Sequence, residues 1–205
     1  MTRATTAFRR IGPADHRRMA WKNGLGTTDE IAVDPPGAGL GGGAFNWRLS
    51  MATVGQSCPF SAFPGYERTI MVIEGAGIEL AVPGQATHRL DRLFEPFVFS
   101  GDEPAQCRLL AGPVRDFNLM IARAHWRART DVLAVGDVRA PLDAGGDVVI
   151  LHCFGGSVDV AIDGAEEALT SGHTLVIEAG PPRSIPIGLA APEAATIAII
   201  TLTRR

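Results

Sequence analysis

Four short stretches carry the side chains best suited to grip a small ionised molecule. WKNGLGTTDEI, Trp21 to Ile31, crowds Lys22, Asn23, Thr27 and Thr28 around two glycines. FNWRLSMATV supplies Arg48 and Ser50, PGYER supplies Arg68, and VRDFNLMIA supplies Asp116 and Asn118. A carboxylate held in a partly dry cavity needs a guanidinium and neutral donors, because charge-assisted hydrogen bonds are stronger than neutral ones. Arg48, Arg68 and Lys22 offer the charge, and Ser50, Asn118, Asn23, Thr27 and Thr28 the neutral donors. Asp116 can orient an arginine or accept a proton from an imidazole or imino group. Trp21 reads as an indole packed into the core rather than an aromatic wall for a ligand.

Other chemistries fit these residues less well. A phosphate-binding Walker loop places its lysine after the glycines and just before Ser or Thr, whereas Lys22 precedes Gly24 and Gly26 and no helix is expected to follow. Glycines flanked by Asn and Thr suit a tight turn that presents amide, hydroxyl and ammonium donors, and equally a plain hairpin. The histidines, His16, His88, His125, His152 and His173, lack ligand spacing, and His152 and Cys153 point to opposite sides of a strand. There is no GxSxG nucleophile elbow, and Cys58, Cys107 and Cys153 form neither a CxxC motif nor an even set. No catalytic residue is assigned and no metal or cofactor is expected.

Strands must position these groups. In FNWRLSMATV, Phe45, Trp47, Leu49 and Met51 share one face while Asn46, Arg48 and Ser50 share the other; VRDFNLMIA likewise sets Asp116 and Asn118 opposite Arg115, Phe117 and Leu119. The turn PGYER can aim Arg68 to the polar side. The 24 Gly and 14 Pro residues cut the chain into short Val, Ile, Leu and Phe runs, and helical periodicity is confined to about one turn after Pro13. An all-β sandwich or barrel is therefore expected. An internal echo points to duplication: TIMVIEGAGIELAV followed by PFVFSGDEP matches VILHCFGGSVDVAID followed by TLVIEAGPP, each half ending a strand in a Gly and Pro turn. The expected division is residues 1–123, an amino-terminal unit with an extension, and residues 124–205, a second unit.

Composition bounds the function. With 46% hydrophobic residues, 20% charged residues and a net charge of −3, the chain reads as globular, with no electrostatic footprint for nucleic acid. Neither a signal peptide nor a membrane-spanning run is expected, and cytoplasmic location is the simpler reading.

The duplicated pattern resembles the cupin superfamily, whose small jelly rolls usually carry a metal site in the barrel. Here the glutamate place of the first motif is held by Arg68, SAFPG supplies no histidine, and Arg183 stands at the histidine place of IEAGPPRSI. A guanidinium is a permanent cation and cannot ligate a metal. More narrowly, WKNGLGTTDEIAVDPPG, FNWRLSMATV, PFSAFPGYERTIMVIEGAGIEL, FEPFVFSGD and LLAGPVRDFNLM resemble the HutD/Ves family of bacterial cupin-like proteins, over Met19 to Arg123. Leu25 departs from the family, which often has a third consecutive glycine there. The resemblance implies a bicupin without the usual metal site. It implies, for HutD members, control of histidine utilisation by binding a small anionic metabolite such as urocanate or a formylated glutamate; the Ves branch is linked to stress response. The expected partner is that metabolite, with no nucleic acid and no membrane, and a homodimer is left open. Two competing readings remain: a metal-independent isomerase or hydrolase with Asp116 as base and Arg68 or Lys22 stabilising an anion, and a protein-interaction module.

Overall fold

The computed structural model describes residues 7–39, 43–136, 140–162 and 164–205, with the side chains of residues 140–143 and 179–186 outside that description. Strand β1 (Ala7–Ile11) precedes a 3-10 turn at Pro13–Asp15, then β2 (Arg17–Ala20), β3 (Gly26–Asp34), β4 (Trp47–Val54), β5 (Cys58–Phe60) and β6 (Tyr66–Glu74). Next come β7 (Ile78–Ala81), β8 (His88–Leu90), β9 (Phe97–Ser100), β10 (Ala105–Leu109) and β11 (Val114–Ala122). The remainder forms β12 (Trp126–Val135), β13 (Ala140–Gly155), β14 (Ser157–Ile162), β15 (Ala165–Thr170), β16 (Thr174–Ala190) and β17 (Ala195–Arg204). The protein is thus all-β, and the turn after Pro13 is the short helical element anticipated there. No helix among the described residues is long and apolar enough to cross a membrane.

Packing separates His16–Trp126 from a second unit made of the residues from Arg127 onward with β1 and its following turn. In the first unit a six-stranded sheet, β2-β3-β4-β11-β6-β9, accompanies a four-stranded one, β5-β10-β7-β8. The second unit is one sheet, β12-β17-β13-β16-β14-β15, with β1 added to β16. Relative to a division at residue 123, the amino-terminal strand has changed sides. The reason lies in pairing: β13 covers one edge of Thr174–Glu178, β14 reaches only Ile187–Ala190, and β1 fills the free edge from Ala7 opposite Glu178 to Ile11 opposite Thr174.

The echo seen in the sequence has a structural counterpart. Gly75 (φ 99°) ends β6, and a Cβ there would stand 2.6 Å from the Pro113 carbonyl, at the start of β11. Gly156 (φ 82°) follows β13 and would meet Ala195, at the start of β17, at 2.9 Å. So β6 corresponds to β13 and β11 to β17, each turn needing a residue that tolerates positive φ and lacks a side chain.

One expectation fails. IEAGPP does not end a strand in a turn but lies within β16, which pairs first with Val148–His152 and then, after a register shift between Gly146 and Val148, with residues 140–146. Prolines have no N–H for a ladder and are accommodated at such irregularities. The later part of β16 also pairs with β14, so this strand combines the pairings that β9 and β10 make separately in the first unit.

Among the described residues the two interiors differ. The second unit buries Val149, Leu151, Cys153, Val158, Val160, Leu175, Ile177, Leu189 and Ile197 in one apolar cluster. The first buries Val54, Phe60, Ile70, Val72, Ile78, Leu80, Phe99 and Val114 together, and separately Ala38, Phe45 and Met120. Beside these patches β4, β11 and β6 bury the polar side chains of Arg48, Ser50, Asp116, Asn118 and Arg68.

Candidate functional site

Strand register places those polar groups side by side. Asn118 lies opposite Ser50, and Ser50 in turn opposite Glu30; Asp116 lies opposite Ala52 and Val72. Met120 sits between Arg48 on one neighbour and Arg68 on the other. Because side chains alternate at period two, Arg48 and Ser50 on β4, Asp116, Asn118 and Met120 on β11, and Arg68 on β6 all project to one face. That face also carries Val54 and Val114, members of the apolar cluster, and so is the interior of the unit. Thr28, Glu30, Arg48, Ser50, Arg68, Asp116 and Asn118 are all buried.

The charges are unevenly matched. Arg48, 2% exposed, donates from Nε to Glu30 Oε2 at 2.5 Å. Arg68, 6% exposed, makes no ion pair among the described residues and only a long bond from Nη1 to the Ser61 carbonyl, 3.4 Å. Its guanidinium instead lies over the rings of Phe99 at 5.0 Å and of Phe60 and Phe63, each at 5.6 Å. Aromatic faces attract a cation but satisfy none of its N–H groups. Burial lowers the Arg68 pKa to about 10, which Asp116 opposes and Arg48 reinforces, so the group is cationic at neutral pH. Burial raises Asp116 to about 7 against the pull of Arg68. Three atoms on this face, Arg48 Nη2, Arg68 Nε and Asn118 Oδ1, are buried without a hydrogen-bond partner among the described residues. An unsatisfied buried polar group costs about 1–3 kcal/mol, and more when charged.

Local structure holds the arginines in place. The turn before β6 closes with Tyr66 N–H donating to the Phe63 carbonyl at 3.1 Å and Gly65 N–H to Asp102 at 2.8 Å. Asp102 is itself tied to Arg123 at 2.6 Å, and the resulting bonds hold its carboxyl down at about 2. On the other side, Gly39 approaches the ion pair so closely that a Cβ would lie 3.1 Å from Glu30 Oε2.

The opening stretch is divided by this geometry. Thr28 faces inward and accepts a hydrogen bond from Trp21 Nε1 at 2.8 Å, while the Trp21 ring packs on the apolar cluster and edge-on to Phe60. Thr27, opposite Thr53, points to the other face. Lys22 and Asn23 are exposed on the β2–β3 turn, where Asn23 Oδ1 accepts from Leu25 N–H and Trp21 N–H bonds the Gly26 carbonyl. WKNGLG is thus a hairpin turn, and Lys22, Asn23 and Thr27 are not brought to the interior face with Thr28, Arg48, Ser50, Arg68, Asp116 and Asn118.

Glu30 and the phenylalanines around Arg68 are site residues that pattern reading passed over. Glu30 shares strand parity with Thr28 and is the acidic residue at the head of the apolar run EIAV, which was its available signal. Phe60 and Phe63 lie in PFSAFPG, close before Arg68, and Phe99 lies on β9; nothing in the sequence pairs the three around the guanidinium. In the second unit, the Arg183 side chain lies outside the described residues. His152 bonds Thr174 through Nδ1 at 2.8 Å, on the face opposite the Cys153 of the apolar cluster. Among the described residues no three His, Cys, Asp or Glu side chains converge as a metal would require.

Comparisons with known proteins agree with this architecture. The sequence profile of the HutD family matches residues 13–197. An uncharacterized 21.2 kDa protein from the hutC 3' region of Pseudomonas putida is 43% identical over 152 residues, covering 74% of this chain and 76% of that one. Protein Ves of Citrobacter koseri is 37% identical over 122 residues, 58% of this chain and 61% of its own. The structure of HutD from Pseudomonas fluorescens SBW25, in a formate condition, superposes with a TM-score of 0.78 at 36% identity, over 97% of this chain and 100% of that one. At the level of fold alone, salicylate 1,2-dioxygenase from Pseudoaminobacter salicylatoxidans is similar, with a TM-score of 0.54 at 12% identity over 78% of this chain and 73% of the other.

Proposed function

This chain belongs to the HutD family, and from that premise we propose that it binds a small carboxylate-bearing metabolite of histidine breakdown, urocanate or a formylated glutamate, in the interior of its first unit. Binding there would limit induction or flux of that pathway. The observation that carries this reading is the set of unpartnered buried atoms on one face: two guanidinium nitrogens, from Arg48 and Arg68, beside the Asn118 amide. A guest carboxylate accepts from both guanidinium groups, and an N–H or O–H of the guest meets Asn118 or Asp116. Arg68 is the stronger anchor, because Glu30 already neutralises Arg48. Titration calorimetry with urocanate and N-formylglutamate tests the proposal. At least one should bind the wild type, and Arg68→Met should weaken it by about 2–4 kcal/mol, the usual cost of losing one partner of a desolvated charge pair. Absence of heat from every carboxylate of the pathway would overturn it.

A second reading, a metal-independent isomerase or hydrolase, draws support from Asp116. A carboxyl raised to about 7 is matched to general-base work near neutral pH. Turnover of the same compounds, abolished in Asp116→Asn, would favour catalysis over binding.

A further inference from the structure

The interior face holds two guanidinium groups and two carboxyl groups, and their pairing constrains how an anion can enter. Glu30 is committed to Arg48 by a 2.5 Å bond. Asp116 on β11 and Arg68 on the adjacent β6 project to the same buried face and Asp116 favours the charged form of Arg68, yet among the described residues no hydrogen bond joins them. With Asp116 ionised, the four groups sum to zero charge. A guest carboxylate that engages Arg68 then leaves the buried Asp116 facing a second anion with its counter-charge diverted, and two adjacent carboxylates in a desolvated site do not both stay ionised. The remaining titratable neighbour is no relief: Cys107 on β10, itself opposite Cys58 on β5, is a neutral thiol pushed up to about 12 by burial, then by Asp116.

Building on the carboxylate-binding reading above, we propose that the site takes each carboxylate together with one proton, and that Asp116 is the residue that carries it. The guest arrives from water as an anion, Asp116 becomes a neutral acid, and the buried face ends with no net charge. As an acid, Asp116 also gains an O–H able to donate to the guest, so protonation supplies a contact as well as removing a repulsion. The pH window follows from the free protein, in which Asp116 titrates at about 7. Below that value the acid form is already present and affinity is flat. Above it a proton must be drawn from solution, and affinity falls by about tenfold per pH unit until the pKa of the occupied state is passed.

The test uses the full chain and carboxylates with no other group titrating between pH 6 and 9: formate, 3-(2-furyl)acrylate and N-formylglutamate. Calorimetry at pH 8 in two buffers of different ionisation enthalpy counts protons directly on the wild type. Uptake approaching one proton per bound molecule is expected, with the stated slope in affinity from pH 7 upward. Asp116→Asn, which resembles the protonated acid in shape and charge, should bind with no proton uptake and no slope. A carboxylate bound by the wild type with zero uptake and flat affinity from pH 6 to 9 would overturn this inference and leave the proposed function standing. Failure of all three, and of urocanate, to bind at any pH would remove both.

Discussion

Each buried arginine on the interior face has a different fate, and stability should report it. Arg48 and Glu30 are mutually dependent: Glu30→Leu strands a buried cation and should cost about 3–5 kcal/mol, while the double change Glu30→Leu with Arg48→Met should recover most of that loss. Urea denaturation of the cycle decides the matter; additive losses would show that the two groups do not share one interaction. Asp116 and Asp102 predict opposite pH slopes. Asp116 is raised from 3.8 to about 7 by burial, so the folded state holds its proton more tightly than the unfolded chain does. The stability it contributes is complete below about pH 4 and is lost as pH rises towards 7. Asp102 is lowered to about 2, first by Arg123 and then by Gly65 N–H and Ser100, so its contribution is present above about pH 4 and lost as pH falls towards 2. Thermal unfolding from pH 2 to 8 should therefore lose its alkaline slope in Asp116→Asn and soften its acid slope in Asp102→Asn.

At the scale of elements, parity and turns do most of the positioning. The alternation in β4 and β11 was legible because a strand has a strict period of two, and the structure buries Arg48, Ser50, Asp116 and Asn118 on the side that the pattern assigned. WKNGLG was ambiguous for an equally physical reason: Gly and Asn beside Lys suit both a hairpin and a ligand loop, and only the pairing of β2 with β3 shows that Lys22 and Asn23 face outward. The turn between β6 and β7 packs closely against β8. Gly77 has φ 107°, and a Cβ there would stand 2.4 Å from the Leu90 carbonyl. Gly77→Ala should destabilise the protein by about 2–4 kcal/mol, from backbone strain together with a clash against rigid main chain. Unfolding within about 0.5 kcal/mol of the wild type would mean that the turn relaxes freely.

For the whole molecule, the two related β units have unequal interiors. Among the described residues, the second unit buries one apolar cluster with His152 and Thr174 as its buried polar pair, whereas the first keeps a charged and amide-bearing stripe among its hydrophobic groups. One guest per chain is therefore expected by calorimetry, and a stoichiometry of two would contradict the division of labour. Leu189→Ala, in the apolar interior of the second unit, should lower stability by about 2–5 kcal/mol and leave the affinity of the folded protein within twofold.

The amino acid sequence by itself determined the all-β class, the duplication and the polar faces of two central strands, because these depend on local periodicity, turn chemistry and residue type. Only the tertiary structure decided that Glu30 takes Arg48, that Phe60, Phe63 and Phe99 surround Arg68, that β1 completes the second unit and that Lys22 stands outside. Most of those outcomes join residues on different strands, and register across strands, which no local pattern encodes, sets which of them meet.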